Sequence, residues 1–170
     1  QDDPTLEISV VINCVGIGSP VRLQNELLSV FNVTEEFDNL VLAYLQDHRQ
    51  TIYISLSSGA AYGTDFSAPV DATSQARFNI NTIDVSEYYG IAKINAEAKH
   101  RALKSFNIVD LRVFGYFSRF IDLKEKFLLS EIVTCLQNGQ EFVTGTGNII
   151  RDFVHPEDLF SLIRECMVQQ

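Results

Sequence analysis

Apolar residues in this chain fall into short unbroken runs separated by stretches of helical period. Ile8 to Val15 (ISVVINCV) is almost continuous and rich in β-branched residues, and it ends at Gly16-Ile17-Gly18-Ser19-Pro20. That is the pattern of a strand buried on both faces that runs into a turn. From Arg22 to Gln46, Leu23, Leu27, Leu28, Phe31, Phe37, Leu40, Val41, Tyr44 and Leu45 recur at helical spacing, with Glu35, Glu36 and Asp38 between them. One long or two abutting amphipathic helices are predicted there. Thr51 to Ser55 forms a second buried strand and leads into the small, polar stretch Ser57 to Gly63. Residues 64–86 contain Pro69 and several Asp and Ser without any sustained period. They read as a long loop, of the kind that often covers an active site. A helix is predicted over Ser86–Ser105, with Ser86 as its N-cap. Ile108 to Phe114 is a third strand, residues 117–123 are irregular, and Phe127 to Leu136 is a helix closed by Asn138-Gly139. A short strand over Glu141–Thr144, a turn over Gly145–Asn148 and an extended stretch over Arg151–His155 follow, and Pro156 opens a last helix.

Strands alternating with helices in this rhythm predict an α/β fold built on a parallel sheet with helices on both faces. Ligands of such sheets bind outside the carboxyl ends of the strands. The segments 16–20, 57–63 and 115–118 fall at those ends.

Composition narrows the partners. The 170 residues are 46% hydrophobic and 21% charged, enough for one well-filled globular core. The formal net charge of −9 and the scattered Lys and Arg oppose nucleic-acid binding. No apolar run is long enough to span a bilayer, and Gln1-Asp2-Asp3-Pro4 does not resemble a signal peptide. Cys14, Cys135 and Cys166 are far apart in apolar contexts and read as buried free thiols of a reducing, cytoplasmic protein. Three dispersed histidines and no Cys-x-x-Cys predict no metal site.

One stretch carries candidate chemistry. In Glu87-Tyr88-Tyr89-Gly90-Ile91-Ala92-Lys93, Tyr89 and Lys93 stand one helical turn apart on the same face, whereas Tyr88 has only Ala92 at that spacing. A phenol titrates near pH 10, and a neighbouring ammonium favours its ionised form, so the spacing suits a tyrosine acid or base. Ser58, at the end of the second strand, offers a hydroxyl beside it. A turn serine satisfying local backbone groups is the alternative reading.

The motifs Ser57-Ser58-Gly59-Ala60-Ala61-Tyr62-Gly63, Tyr89-Gly90-Ile91-Ala92-Lys93, Leu111-Arg112-Val113-Phe114 and Arg151-Asp152-Phe153-Val154-His155 with Asp158-Leu159 occur in that order. Together they resemble the extended short-chain dehydrogenase/reductase family in its nucleotide-sugar epimerase/dehydratase branch. The resemblance covers nearly the whole chain. It implies a partial Rossmann-type sheet, with residues 1–114 as the central and later part of a cofactor domain. Residues 115–170 would form a substrate-binding segment and a returning helix. It further implies NAD or NADP, a nucleotide-diphosphate sugar as substrate, hydride transfer between sugar ring and nicotinamide, and a homodimer. By position, Tyr89 resembles the family's acid–base residue. Lys93 resembles the residue that tunes it and holds the nicotinamide ribose, and Ser58 the hydroxyl that orients the reacting sugar oxygen. Cys14, Val15 and Gly16 resemble cofactor contacts. Asn32 matches an asparagine near the nicotinamide, with an ordinary helix residue as the alternative. Arg151 resembles the arginine on the substrate diphosphate, a task that suits a bidentate guanidinium; a surface arginine paired with Asp152 is its alternative.

Three departures qualify the resemblance. The family's Gly-x-x-Gly-x-x-Gly phosphate loop and the acidic residue that holds the adenosine ribose are absent, and Gly16-Ile17-Gly18 lies on a later strand. About two βα units are therefore expected before Gln1. The 170 residues are expected to be a fragment that is inactive and binds dinucleotide poorly by itself, and that associates through its open sheet edge. Gly59-Ala60 follows Ser58 where sugar 4,6-dehydratases carry Asp-Glu, which disfavours dehydration. Gly115 stands where the family commonly has Asn, which removes a substrate hydrogen bond. An epimerase or a 4-keto-sugar reductase is the expected activity; a non-catalytic module binding a protein or a nucleotide sugar is the alternative.

Overall fold

A computed structural model of the chain describes residues 7–147 and 150–168. Three strands, β1 (Val10–Asn13), β2 (Ile52–Ser58) and β3 (Ile108–Val113), form one parallel sheet in the order β1-β2-β3. Val10 pairs with Ile52 at one end of the first ladder, and Ser58 pairs with Val113 at the end of the second. The helices are α1 (Pro20–Asn25), α2 (Leu27–Asp47), α3 (Tyr88–Ala102), α4 (Leu128–Asn138) and α5 (Pro156–Val168). This is the expected α/β, partial Rossmann-type architecture. The helical stretch 22–46 resolves into the two-helix alternative, because Glu26 takes the non-helical angles φ −131°, ψ 43° between α1 and α2.

β2 is the middle strand, and its side chains alternate between two different surroundings. Ile52, Ile54 and Leu56 pack with Val10, Leu111 and, from α5, Leu159, Ile163 and Cys166. Tyr53 and Ser57 face the opposite side, toward α2 and α3. There Tyr53 donates to Asp38 of α2 at 3.0 Å and Ser57 donates to Glu97 of α3 at 2.6 Å. A second apolar cluster of Ile17, Val30 and Ala92 joins the loop after β1 to α2 and α3.

The α2–α3 side is thus a buried polar layer. Asn13 donates to the Tyr53 hydroxyl at 2.9 Å. The two ring nitrogens of His100 sit 2.7 Å from Asp38 and 2.7 Å from Asp110, and Lys99 closes on Asp38 at 2.6 Å. Burial would push His100 down, but the carboxylates of Asp110 and Asp38 outweigh it and raise its pKa to about 9. His100 and Lys99 in turn hold Asp38 below the usual carboxylate range despite its burial.

Several expectations need correction. β1 spans only Val10–Asn13 and is not buried on both faces: Ile12 is 44% exposed, and among the described residues β1 pairs with β2 alone. Glu141–Thr144 is not a strand: it finds no partner among the described residues, and Val143 is 82% exposed. Of the turn expected at 145–148, Asn148 lies outside the described residues, as does the Gln1–Pro4 terminus. Cys14 is exposed and Cys135 and Cys166 are half-buried, so none is a core thiol; all three are free. Gly139 does close α4, in the left-handed region at φ 63°. Val154 forms an isolated parallel bridge with Tyr116. Among the described residues, no helix is long and apolar enough to cross a membrane, and no cluster of three or more His, Cys, Asp or Glu is arranged to hold a metal ion.

Candidate active site

The carboxyl end of β2 delivers Ser58, which caps a short 3-10 turn over Gly59–Tyr62 by accepting from the Ala60 amide at 3.2 Å. The entry to α3 is capped two residues earlier than expected. Asp84, not Ser86, is the cap: its carboxylate accepts from the Ser86 amide at 2.9 Å, while Glu87 accepts from the Asp84 amide at 2.8 Å. This capping box has its Glu three residues after the cap. One turn of 3-10 helix (Val85–Glu87) then runs into α3.

Gly90 allows α3 to close on the Gly59–Tyr62 turn. A Cβ at that position would stand 2.2 Å from the Ala60 carbonyl oxygen, so the two backbones meet only because Gly90 has none. That contact brings the Tyr89 phenol beside Ser58, whose hydroxyl acts on it. The Tyr89 ring packs on the Ile17, Val30, Ala92 cluster.

Lys93 is buried one turn further along. Its ammonium donates to the Leu56 carbonyl at 2.9 Å and to the Val15 carbonyl at 3.4 Å, and sits 5.7 Å from the centre of the Tyr89 ring. The electrostatics run opposite to the direction expected from spacing. Burial raises the Tyr89 pKa above its ordinary value, and the Ser58 hydroxyl beside it opposes that only in part. Burial also lowers Lys93, against the opposing charges of Asp38, Asp110 and Glu97. The lysine spends its charge on two backbone carbonyls, which leaves Tyr89 a neutral proton donor in this arrangement.

Of the other expected residues, Val15 reaches the centre through its carbonyl. Gly16 lies against it, since a Cβ there would be 3.2 Å from the Lys93 nitrogen. Cys14 is exposed in the same segment. Asn32 is on an exposed position of α2, and Arg151 is exposed without an ion pair to Asp152. Gly115 has a packing reason to be glycine: a Cβ would stand 2.6 Å from the Asp152 carbonyl oxygen as the 151–155 segment passes. The 64–84 loop folds beside the end of the 3-10 turn. It encloses a polar cleft of about 450 Å³ lined by Tyr62, Asp65, Thr73 and Arg77 among others, and Ser58, Tyr89 and Lys93 are not in its wall.

The model of the NAD dependent epimerase/dehydratase family matches residues 4–169. The chain belongs to this family.

No curated protein matches the chain in sequence. Among solved structures, it is similar to UDP-N-acetylglucosamine 4-epimerase from Methanobrevibacter ruminantium M1 in complex with UDP-N-acetylmuramic acid. The TM-score is 0.80 at 17% identity, over 95% of this chain and 52% of that one. It is also similar to ADP-L-glycero-D-manno-heptose-6-epimerase from Helicobacter pylori, with TM-score 0.76 and 17% identity over 95% and 50% of the two chains. UDP-glucose-4-epimerase from Stenotrophomonas maltophila, with bound NAD and formylated UDP-arabinopyranose, gives TM-score 0.74 and 19% identity over 94% and 52%. The chain therefore spans about half the length of these structures.

Two features around Ser58, Tyr89 and Lys93 escaped the sequence motifs. Gly18 lies directly against the phenol, where a Cβ would stand 3.4 Å from the Tyr89 hydroxyl. Glu97, one turn beyond Lys93, is 1% exposed and bonds Ser57, the neighbour of Ser58. Its four-residue spacing from Lys93 was the available signal, and an acidic residue on a helix otherwise reads as solvated.

Proposed function

We propose that this chain belongs to an NAD(P)-dependent nucleotide-sugar epimerase or 4-keto-sugar reductase, with Tyr89 as its acid–base residue. The observation that carries this reading is the close approach of α3 at Gly90 to the turn capped by Ser58, which sets the Tyr89 phenol at the carboxyl end of the middle strand, with the Lys93 ammonium buried one turn behind. The residues around it fit a nicotinamide ribose. Gly16 and Gly18 keep the space beside Lys93 and the Tyr89 hydroxyl free of side chains. Lys93 has three N–H donors and commits two to carbonyls, which leaves one for a ribose hydroxyl. Bound there, the dinucleotide supplies the hydride acceptor and donor.

The chain's own residues handle the proton and the orientation. Ser58 aligns the sugar oxygen that gains or loses a proton. In the reductive direction the neutral Tyr89 phenol donates its proton to that oxygen and is left as the phenolate; in the oxidative direction the phenolate takes the proton from the sugar hydroxyl and ends as the neutral phenol. Lys93 stabilises the phenolate formed when the proton leaves. Arg151, on the 115–170 substrate segment, meets the diphosphate, while Asn32 and the Cys14–Gly16 segment border the cofactor. The family membership and the nucleotide-sugar complexes of similar structures support the substrate class. We place the whole protein in the cytoplasm as a homodimer.

A panel of UDP-, ADP-, GDP- and dTDP-sugars incubated with the whole protein and either NAD or NADPH tests this. Proton NMR should show an inverted or reduced sugar for at least one member. Binding of a nucleotide sugar without conversion under either dinucleotide would favour the non-catalytic module instead.

A further inference from the structure

Tyr89, Lys93 and Glu97 follow one another at four-residue intervals on α3, so they form one stripe against the sheet. The third of them is a buried hub. Glu97 Oε1 accepts from Ser57 Oγ at 2.6 Å and from Arg112 Nε at 2.9 Å. Its Oε2 accepts from Arg112 Nη2 at 2.6 Å and from Arg101 Nη2 at 2.5 Å. The Arg112 guanidinium continues over the Tyr62 ring, 4.5 Å from its centre, and that ring stacks on Phe114 at 5.9 Å. One carboxylate thus ties α3 to the last residues of β2, to β3 and to the far end of the Gly59–Tyr62 turn. Burial would push Glu97 up, yet Arg112, Ser57 and Arg101 outweigh it and hold its pKa at about 2.

The placement of these contacts is what matters. Ser57 precedes Ser58 directly, and Glu97 lies one turn from Lys93 and two from Tyr89. A forked Arg–carboxylate pair fixes direction as well as distance, which apolar packing does not. We propose that Glu97 and Arg112 are positioning residues whose ion pair registers α3 against the end of β2 and so holds the Ser58 and Tyr89 hydroxyls in reacting geometry. The inference rests on the reading of Ser58 and Tyr89 as the acid–base pair.

A buried ion pair contributes little net stability, and well-packed apolar replacements often match it. That separates positioning from simple folding. Three variants of the whole protein are compared with Tyr89→Phe: Glu97→Gln, Arg112→Lys and the double variant Glu97→Leu/Arg112→Met. Glu97→Gln and Arg112→Lys should each lower kcat by about 10–100-fold, the scale of a misplacement near 1 Å. KM for the nucleotide sugar should stay within about 2-fold, because substrate binding groups are untouched. The double variant should recover the wild-type melting temperature and keep the low kcat. A double variant with wild-type melting temperature and wild-type kcat overturns the proposal. Should the double variant not fold, Arg112→Lys decides, read in the whole protein without turnover. The 13Cζ resonance of Tyr89, which reports the surroundings of its hydroxyl, should shift, and an unchanged resonance overturns the proposal. Undiminished turnover by Tyr89→Phe would instead remove the acid–base reading on which the inference stands.

Discussion

Phenylalanine in place of Tyr89 is expected to lower turnover of the whole protein by about 10²–10⁴-fold, the usual worth of a positioned acid or base. The loss is chemical because the substitution is otherwise mild. The ring keeps its packing on Ile17, Val30 and Ala92, and Lys93 keeps its bonds to Leu56 and Val15. Ser58 still accepts from the Ala60 amide. Melting temperature and nucleotide-sugar affinity should therefore stay close to wild type while kcat collapses. Steady-state kinetics beside a thermal melt measure both, and a parallel fall in melting temperature would mean that the site had been unfolded, not disarmed.

His100→Leu is expected to destabilise the chain by about 3–5 kcal/mol, since it removes the partner of two carboxylates and leaves Asp38 buried with one cation fewer. The wild type should also show a specific pH dependence. The folded pKa of His100 is raised from 6.5 to about 9, so its stabilisation is fully present below pH 6.5 and is lost as pH rises through about 9. The shift corresponds to on the order of 3 kcal/mol. Asp38 and Glu97 have lowered folded values, so their contributions are present above the ordinary carboxylate range and fail as pH falls below it. The urea midpoint should hold a plateau from about pH 5 to 7 and drop on both sides. His100→Leu should lack the drop between pH 7 and 10; an identical alkaline slope in variant and wild type would show that other groups cause it.

What could be read in advance was local. Tyr89 and Lys93 announce themselves by one-turn spacing, β2 by the segment Thr51–Ser55, which stops short of its end at Ser58, and the end of α4 by Gly139. None of these depends on distant residues. The reading failed where a partner decides. Ile12 looks like core, yet it is 44% exposed on a strand that pairs with β2 alone among the described residues. Glu141–Thr144 has strand composition but no ladder to join. Ser86 has the residue type of a cap, yet Asp84 wins because only it has a Glu three positions on.

The site divides in the same way. Its hydroxyls and ammonium were legible from type and spacing, whereas the charge balance around them was not. Tyr89 is raised where the spacing suggested it would be lowered, because burial acts on the phenol and the lysine ammonium is drawn to two carbonyls. The buried layer of Tyr53, Asp38, Glu97 and His100 was hidden for a related reason. Asp38 and Glu97 sit on helices where acidic residues normally face water, and only the polar side of β2 turns them inward.

The most direct measurement follows nicotinamide absorbance in a single turnover, with the whole protein, its dinucleotide and a converted nucleotide sugar. Wild type should exchange hydride within the time of one catalytic cycle. Tyr89→Phe, at matched occupancy of dinucleotide and sugar, should show no change in absorbance over that time. Hydride exchange at the same rate in both proteins would contradict the assignment of Tyr89 as the acid–base residue.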